Sequence, residues 1–173
     1  MFAFLLFLLA VQRGAELLLA SSNVAQLRRQ GAREVGAAHY PVMVGLHVTW
    51  FAAMLWERCH FTVGGCSTTM LLGWAMLGWG QGLRWWTITT LGRRWTTRIL
   101  VLPGAPVVQG GPFRLVRHPN YLGVWLEIVG VPLIGGCWRS ALIMGVLHTA
   151  FLIFRMRVEI RALREHGCEN GPC

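Results

Sequence analysis

GGPFRLVRHPNYLGVW, residues Gly110 to Trp125, is where a polar segment of the chain gives way to an apolar one. Proline has a fixed φ and no backbone N–H, so it suits the first turn of a helix and disrupts the interior. Pro119 therefore marks a helix start, with Arg117 and His118 just ahead of it and Tyr121 one turn below His118. The free N–H groups of such a start, joined by the Arg117 guanidinium, suit an anionic group such as a carboxylate. His118 and Tyr121 add hydrogen-bonding edges and a ring on which a base can stack. The alternative reading of the same residues is a basic interfacial anchor, with Tyr121 in the aromatic belt.

The rest of the chain decides what kind of helix this is. Of the 173 residues, 54% are hydrophobic, which sets the chain among membrane proteins. Five apolar stretches, at about 1–20, 38–57, 61–83, 120–137 and 139–156, approach the roughly 20 residues that a helix needs to cross a bilayer. The first has no Arg before its apolar run and no small-residue cleavage site, so it reads as a membrane helix rather than a removed signal. With the amino terminus outside, the inner segments carry thirteen Arg, against Arg58 and Arg139 outside and Arg13 within the first span. That is the asymmetry of the positive-inside rule. Trp85, Trp86 and Trp138 fall where interfacial belts are expected. The expected fold is thus all-α: a single-domain integral membrane bundle of about five transmembrane helices, ending in a tight helical hairpin. A cytoplasmic loop at 84–119 and a cytoplasmic tail at 157–173 complete it. Pro103, Pro106, Pro112 and the Gly110–Gly111 pair prevent that loop from being one helix.

Composition also excludes chemistry. All sixteen basic residues are Arg and all seven acidic ones Glu, so no site can rely on a Lys nucleophile or an Asp ligand. The net charge of +9 sits between apolar runs, which fits anionic lipid headgroups and not nucleic acid. The five cysteines have neither paired nor zinc-site spacing; Cys66 and Cys137 read as packing residues, Cys168 and Cys173 as exposed thiols of the tail. The glycines of GWGQG, Gly78 to Gly82, follow no strand and point to close helix packing.

Several polar residues remain inside the apolar stretches. Glu16 lies three residues after Arg13, so the two can pair on one helix face, either at a functional site or to fix packing. His47 and His148 are isolated imidazoles that read as hydrogen-bonded helix contacts. Glu127 lies two turns into the fourth span, on nearly the same face as Asn120, where a carboxylate suits a proton acceptor beside a lipophilic substrate. The last span ends in FRMRVEIRALREHG. Because a hairpin returns this end to the beginning of the fourth span, Glu159 and Arg155 can approach His118 and Tyr121. A carboxylate for an ammonium or ribose, opposite an Arg for a carboxylate, matches the outline of S-adenosylmethionine.

GPFRLVRHPNYLG, then a hairpin, then FRMRVEIRAL resembles the isoprenylcysteine carboxyl methyltransferase family of integral membrane methyltransferases. GAREVGAAHYPVMVGLH and LRWWTITTLGRRWTTRILVLPGA look like a bacterial branch found with type III polyketide synthases that make alkylresorcinols or alkylpyrones. The resemblance implies a bacterial inner-membrane enzyme using S-adenosyl-L-methionine, and the Arg distribution sets its amino terminus outside and its carboxyl terminus in the cytoplasm. It implies a cofactor held in cytoplasmic loops around the last hairpin and a lipophilic acceptor entering from the bilayer. Carried over onto this chain, Arg117, His118, Pro119 and Tyr121 match the family's cofactor motif and Glu159 its acidic position after the last helix; Val116 and Arg155 beside them complete the candidate cofactor residues, and Arg117 and Glu127 are the candidates for catalysis. Ile160 stands where the family usually has a second Glu, and the tail lacks its usual aromatic residues.

The acceptor oxygen decides what the enzyme must supply. A carboxyl acceptor, as on a prenylated cysteine, is already ionised at neutral pH. A phenol-like hydroxyl, with a pKa near 10, needs a base. The bases at membrane depth are Glu127, Glu16 and His148, which favours the hydroxyl. A membrane reductase of the steroid reductase type, with NADPH in a similar hairpin, and a non-enzymatic scaffold are the competing classes.

Overall fold

The computed structural model describes residues 1–61, 64 and 66–167, with side chains through Glu165. Cys168 and Cys173 lie outside the described residues. Five long helices carry the fold: α1 (Phe2–Arg29), α2 (His39–His60), α3 (Ser67–Leu91), α4 (Pro119–Ile134) and α5 (Trp138–Gly167). α1 and α5 are each long and apolar enough to cross a membrane, and α4 is a shorter apolar helix. Large apolar side chains such as Phe7, Leu18, Leu71, Trp79, Leu142 and Val146 are exposed on the outside of the bundle. A water-soluble protein would bury such a girdle; a bilayer accepts it. The chain is therefore an all-α membrane bundle.

Pro119 is the first residue of α4, as its missing N–H dictates. α3 runs on to Leu91, two turns beyond the loop start expected at Arg84, because no helix breaker stands before Gly92. Gly92 ends the helix at φ +51°, a conformation that side chains resist. Gly136, at φ +70°, turns the chain between α4 and α5. The start of α5 is capped from another helix: buried Glu57 of α2 accepts hydrogen bonds from the backbone N–H of Arg139 (3.1 Å) and Ser140 (2.7 Å), and from the Ser140 hydroxyl (2.7 Å). A carboxylate at a helix amino terminus meets both unpaired N–H groups and the favourable end of the helix dipole.

α3 and α4 pack most closely. A Cβ placed on Gly80 would lie 2.9 Å from the Gly123 carbonyl oxygen, and one on Gly73 would lie 2.7 Å from that of Gly130. Glycine lets the two backbones touch, a contact that replaces the hydrophobic drive missing between helices in lipid. Of the GWGQG glycines only Gly80 serves this purpose; Gly78 and Gly82 meet nothing within 4 Å. The core is completed by Leu6 and Leu9 of α1, Trp50 and Met54 of α2, Ile128 of α4 and Met144 of α5. Trp50 satisfies its indole N–H on the Ile128 carbonyl at 3.0 Å.

The expected cytoplasmic loop contains an element that composition did not announce. β1 (Arg33–Val35) and β2 (Ile99–Val101) form a two-stranded antiparallel ribbon in which Glu34 faces Leu100. Ile99 and Val101 are buried against Ala162 of α5, with Val35 and Val158 alongside. The ribbon clamps the segment after α3 onto the C-terminal part of α5, and so holds Thr96 to Arg98 above the helix openings.

Candidate active site

A cavity of about 790 Å³ runs between all five helices and is roofed by the segment from Arg94 to His118. Its mouth is built where the start of α4 meets the end of α5. The Tyr121 hydroxyl donates to the Glu159 carboxylate and lies 3.3 Å from Nε of Arg155. Arg155 also donates to the Thr97 carbonyl and approaches the Met43 sulfur at 2.9 Å, so one guanidinium ties α5 to the roof and to α2. The His118 ring lies 5.9 Å from that of Tyr121, inclined by 52°. Arg117 is exposed at the rim and belongs to no ion pair among the described residues.

Arg117, His118, Pro119, Tyr121, Arg155 and Glu159 thus border one cavity, although they come from two segments of the chain. Val116 does not border it. The Asn120 side-chain oxygen is buried beside the same cavity without a hydrogen-bond partner. A buried acceptor left open in this way calls for a donor from a ligand or water. An unpaired guanidinium, a carboxylate, an imidazole and an open amide oxygen fit the carboxylate, ammonium, nucleobase and ribose of S-adenosylmethionine.

Deeper in the membrane the setting changes. Glu127, 2% exposed, is ion-paired with Arg13 of α1 and with Arg84 of α3, whose Nε lies 3.2 Å from Oε1 but is angled away from hydrogen-bond geometry. Glu16 pairs with Arg13 at 2.6 Å and with Arg84. Two Arg and two Glu form a neutral quartet that joins α1, α3 and α4. Arg13, Glu16 and Arg84 border the cavity, whereas Glu127 does not. Its setting differs from the one expected: the carboxylate is held between two guanidiniums in place of facing a substrate. The Arg13–Glu16 pairing was legible from spacing; the partners from α3 and α4 were not, because no local pattern sets the register between distant helices.

His47 and His148 are not isolated either. Their rings meet edge to face at 5.2 Å, and both border the inner end of the cavity. Sequence reasoning also passed over Thr96, Thr97 and Arg98 as site residues, since their place above the site depends on the ribbon. Arg98 reaches Glu34 at 2.6 Å and stacks over the Tyr40 ring at 4.1 Å. Burial by itself would raise the Glu34 carboxyl, but hydrogen bonds from Arg98 and Arg28 outweigh it and hold the group below its ordinary range.

The family model for the isoprenylcysteine carboxyl methyltransferase (ICMT) family matches residues 71–165, which take in most of α3, the roof, α4 and nearly all of α5. The uncharacterized protein YpbQ of Bacillus subtilis (strain 168) is 34% identical over 167 residues, 96% of this chain and 99% of its own length. An uncharacterized protein of Haemophilus influenzae is 27% identical over 135 residues, 78% of each chain. No solved structure matches. The matched region contains all the residues that form the mouth of the cavity apart from Met43, and the chain belongs to the isoprenylcysteine carboxyl methyltransferase family.

Proposed function

We propose that the protein is an S-adenosylmethionine-dependent O-methyltransferase whose acceptor is a lipophilic hydroxyl of the alkylresorcinol or alkylpyrone type. One observation carries the reading: a single cavity joins the polar cluster of His118, Tyr121, Arg155 and Glu159 to an interior lined largely by apolar and imidazole side chains, with Arg13, Glu16 and Arg84 on one wall. A water-soluble donor and a lipid-soluble acceptor can meet only in a space that opens to both. The distribution of Arg supports an inner-membrane placement with the mouth at the cytoplasmic surface.

The bound cofactor supplies an electrophilic methyl group on a sulfonium. The rest falls to side chains. Arg117 takes the carboxylate end at the rim, where its charge is unclaimed. Glu159 faces the ammonium or ribose, and the Tyr121 hydroxyl fixes its orientation. His118 offers a ring and a hydrogen-bonding edge beside Pro119. Arg155, tied to Thr97 and Met43, keeps the roof closed over the site and excludes water, which aligns the reactants and strengthens every polar contact. Glu127, with Arg13 and Arg84, holds the helices around the cavity floor.

The test uses detergent-solubilised protein, S-adenosylmethionine labelled in its methyl group, and two acceptors, a 5-alkylresorcinol and a farnesyl-cysteine analogue. Label is expected in the resorcinol, and S-adenosylmethionine, unlike NADPH, is expected to raise the unfolding temperature. Label in neither acceptor together with no protection by S-adenosylmethionine would end the proposal.

A further inference from the structure

We propose that His148, steadied by His47, holds the acceptor hydroxyl and takes its proton; this rests on the hydroxyl-methylating reading above. The argument begins with tautomers. His148 Nδ1 lies 2.9 Å from the Met144 carbonyl oxygen, one turn back along α5. A carbonyl only accepts, so Nδ1 carries the hydrogen and Nε2 is left with a lone pair. That Nε2 is buried and has no partner among the described residues, although the residue is only 1% exposed. His47 is fixed in the same way by the Met43 carbonyl at 2.9 Å, and its ring, packed edge to face at 5.2 Å, limits how the His148 ring can turn.

Position agrees with this role. His148 lies two turns, or about 10 Å, deeper along α5 than Arg155, which is room for an aromatic ring between the mouth and the imidazole. The carboxylates that could take the proton are engaged. Glu127 is held by two guanidiniums away from the cavity, Glu16 accepts from Gln12, Arg13 and Arg84, and Glu159 accepts from Tyr121. The imidazole lone pair is matched to an O–H donor.

The step balances. The acceptor O–H bond breaks as Nε2 takes the proton, the oxygen bonds to the methyl carbon, and the electron pair of the broken carbon–sulfur bond stays on sulfur. The positive charge lost by the sulfonium reappears on the imidazole.

Two measurements test the inference, the first without cofactor. In protein carrying 15N-histidine, 5-pentadecylresorcinol should shift the Nε2 resonance that disappears in His148→Asn, while the matching Nδ1 resonance stays in place. His148→Asn keeps a donor for the Met144 carbonyl and removes only the outer nitrogen. The second measurement is methyl transfer: kcat in His148→Asn should fall about 100-fold or more with thermal protection by S-adenosylmethionine unchanged, and added imidazole should restore part of the rate in His148→Gly. An unmoved Nε2 resonance, or a His148→Asn rate near that of the natural protein, would overturn the role of His148 and leave the methyltransferase reading standing. A resorcinol-induced shift without methyl transfer to any acceptor would keep the hydroxyl site and remove the proton transfer, together with the proposed activity.

Discussion

Two clusters of charge lie about 10 Å apart in depth, on the scale of two helical turns, and they are built on opposite plans. At the mouth, Tyr121, Arg155 and Glu159 border open space, and Arg117 and Asn120 keep polar atoms unclaimed. In the interior, Arg13, Glu16, Arg84 and Glu127 cancel one another and close three helices together, so that even where Arg13, Glu16 and Arg84 line the cavity their charges are already paired. An incomplete polar cluster beside a cavity is prepared for a ligand, whereas a charge-balanced one that joins helices is prepared for folding. Ionisable residues in a membrane are taken as functional by default. Here the distinction lies in which of them still has something left to bind.

The largest effect should come from unbalancing the interior quartet. Arg84→Met leaves two carboxylates to share one guanidinium in a buried site, which costs about 3–5 kcal/mol of stability. Glu127→Leu should cost a similar amount. The double variant removes one charge of each sign and keeps the Arg13–Glu16 pair, so it should recover at least half of the loss. Unfolding of the three variants in mixed micelles measures this. Strictly additive losses would show that the four residues do not act as one unit.

The mouth should respond in the opposite sense, in binding more than in stability. Tyr121→Phe removes the hydroxyl that bridges Glu159 and Arg155, a loss of about 1 kcal/mol in folding. Affinity for S-adenosylmethionine, read by calorimetry, should fall about tenfold or more because Glu159 loses its orientation. Unchanged affinity would return Tyr121 to the role of an interfacial anchor. Glu159→Gln should weaken the cofactor at least as much, since it removes the charge itself.

The contrast between the clusters also explains what could be read from the chain. The mouth was legible because each half is local: Pro119 sets a helix start, and the short turn at Gly136 forces the two ends of a hairpin together. The quartet was half legible, since Arg13 and Glu16 share a helix face while Arg84 and Glu127 arrive from other helices. Nothing in composition sets that register. It depends on Gly73 and Gly80 meeting Gly130 and Gly123, and these glycines are recognisable as a pair of stripes only once α3 and α4 lie side by side. The ribbon was invisible for a different reason. Three-residue strands are too short for alternation to be counted, and REV and ILV read equally well as loop.

The glycine stripes allow a sharper test at intermediate size. A Cβ on Gly123 would lie 2.9 Å from the Gly80 carbonyl and 2.6 Å from Cγ of Arg84, so Gly123→Ala must push α3 and α4 apart and disturb the quartet as well. A cost of about 1–3 kcal/mol is expected. Gly82→Ala, in the same helix as Gly80 but with open space around it, should be neutral or stabilise by about 0.5–1 kcal/mol through reduced chain freedom. Equal effects would mean that the helices do not depend on close approach.

The smallest expected effect concerns the lid of the mouth, where charge meets water. Glu34 of β1 receives Arg98 from the roof and Arg28 from the end of α1, and these hydrogen bonds hold its carboxyl below the ordinary value of 4.5. A carboxylate whose pKa is lower in the folded state stabilises that state fully above the ordinary value, and the contribution fades as pH falls through the lowered one. The ribbon should therefore be firmly latched at neutral pH and loosen in acid. Hydrogen exchange at the β2 amides of Ile99 and Val101 would report this, after correction for the intrinsic pH dependence of exchange. Protection should decline over the range in which pH falls through and below the ordinary value of 4.5. In Glu34→Gln protection should be lower at pH 7 and nearly flat over that range. A decline of the same size in the variant would trace the latch to other groups, since Ile99 and Val101 also rest on the apolar seat formed with Ala162, which does not titrate.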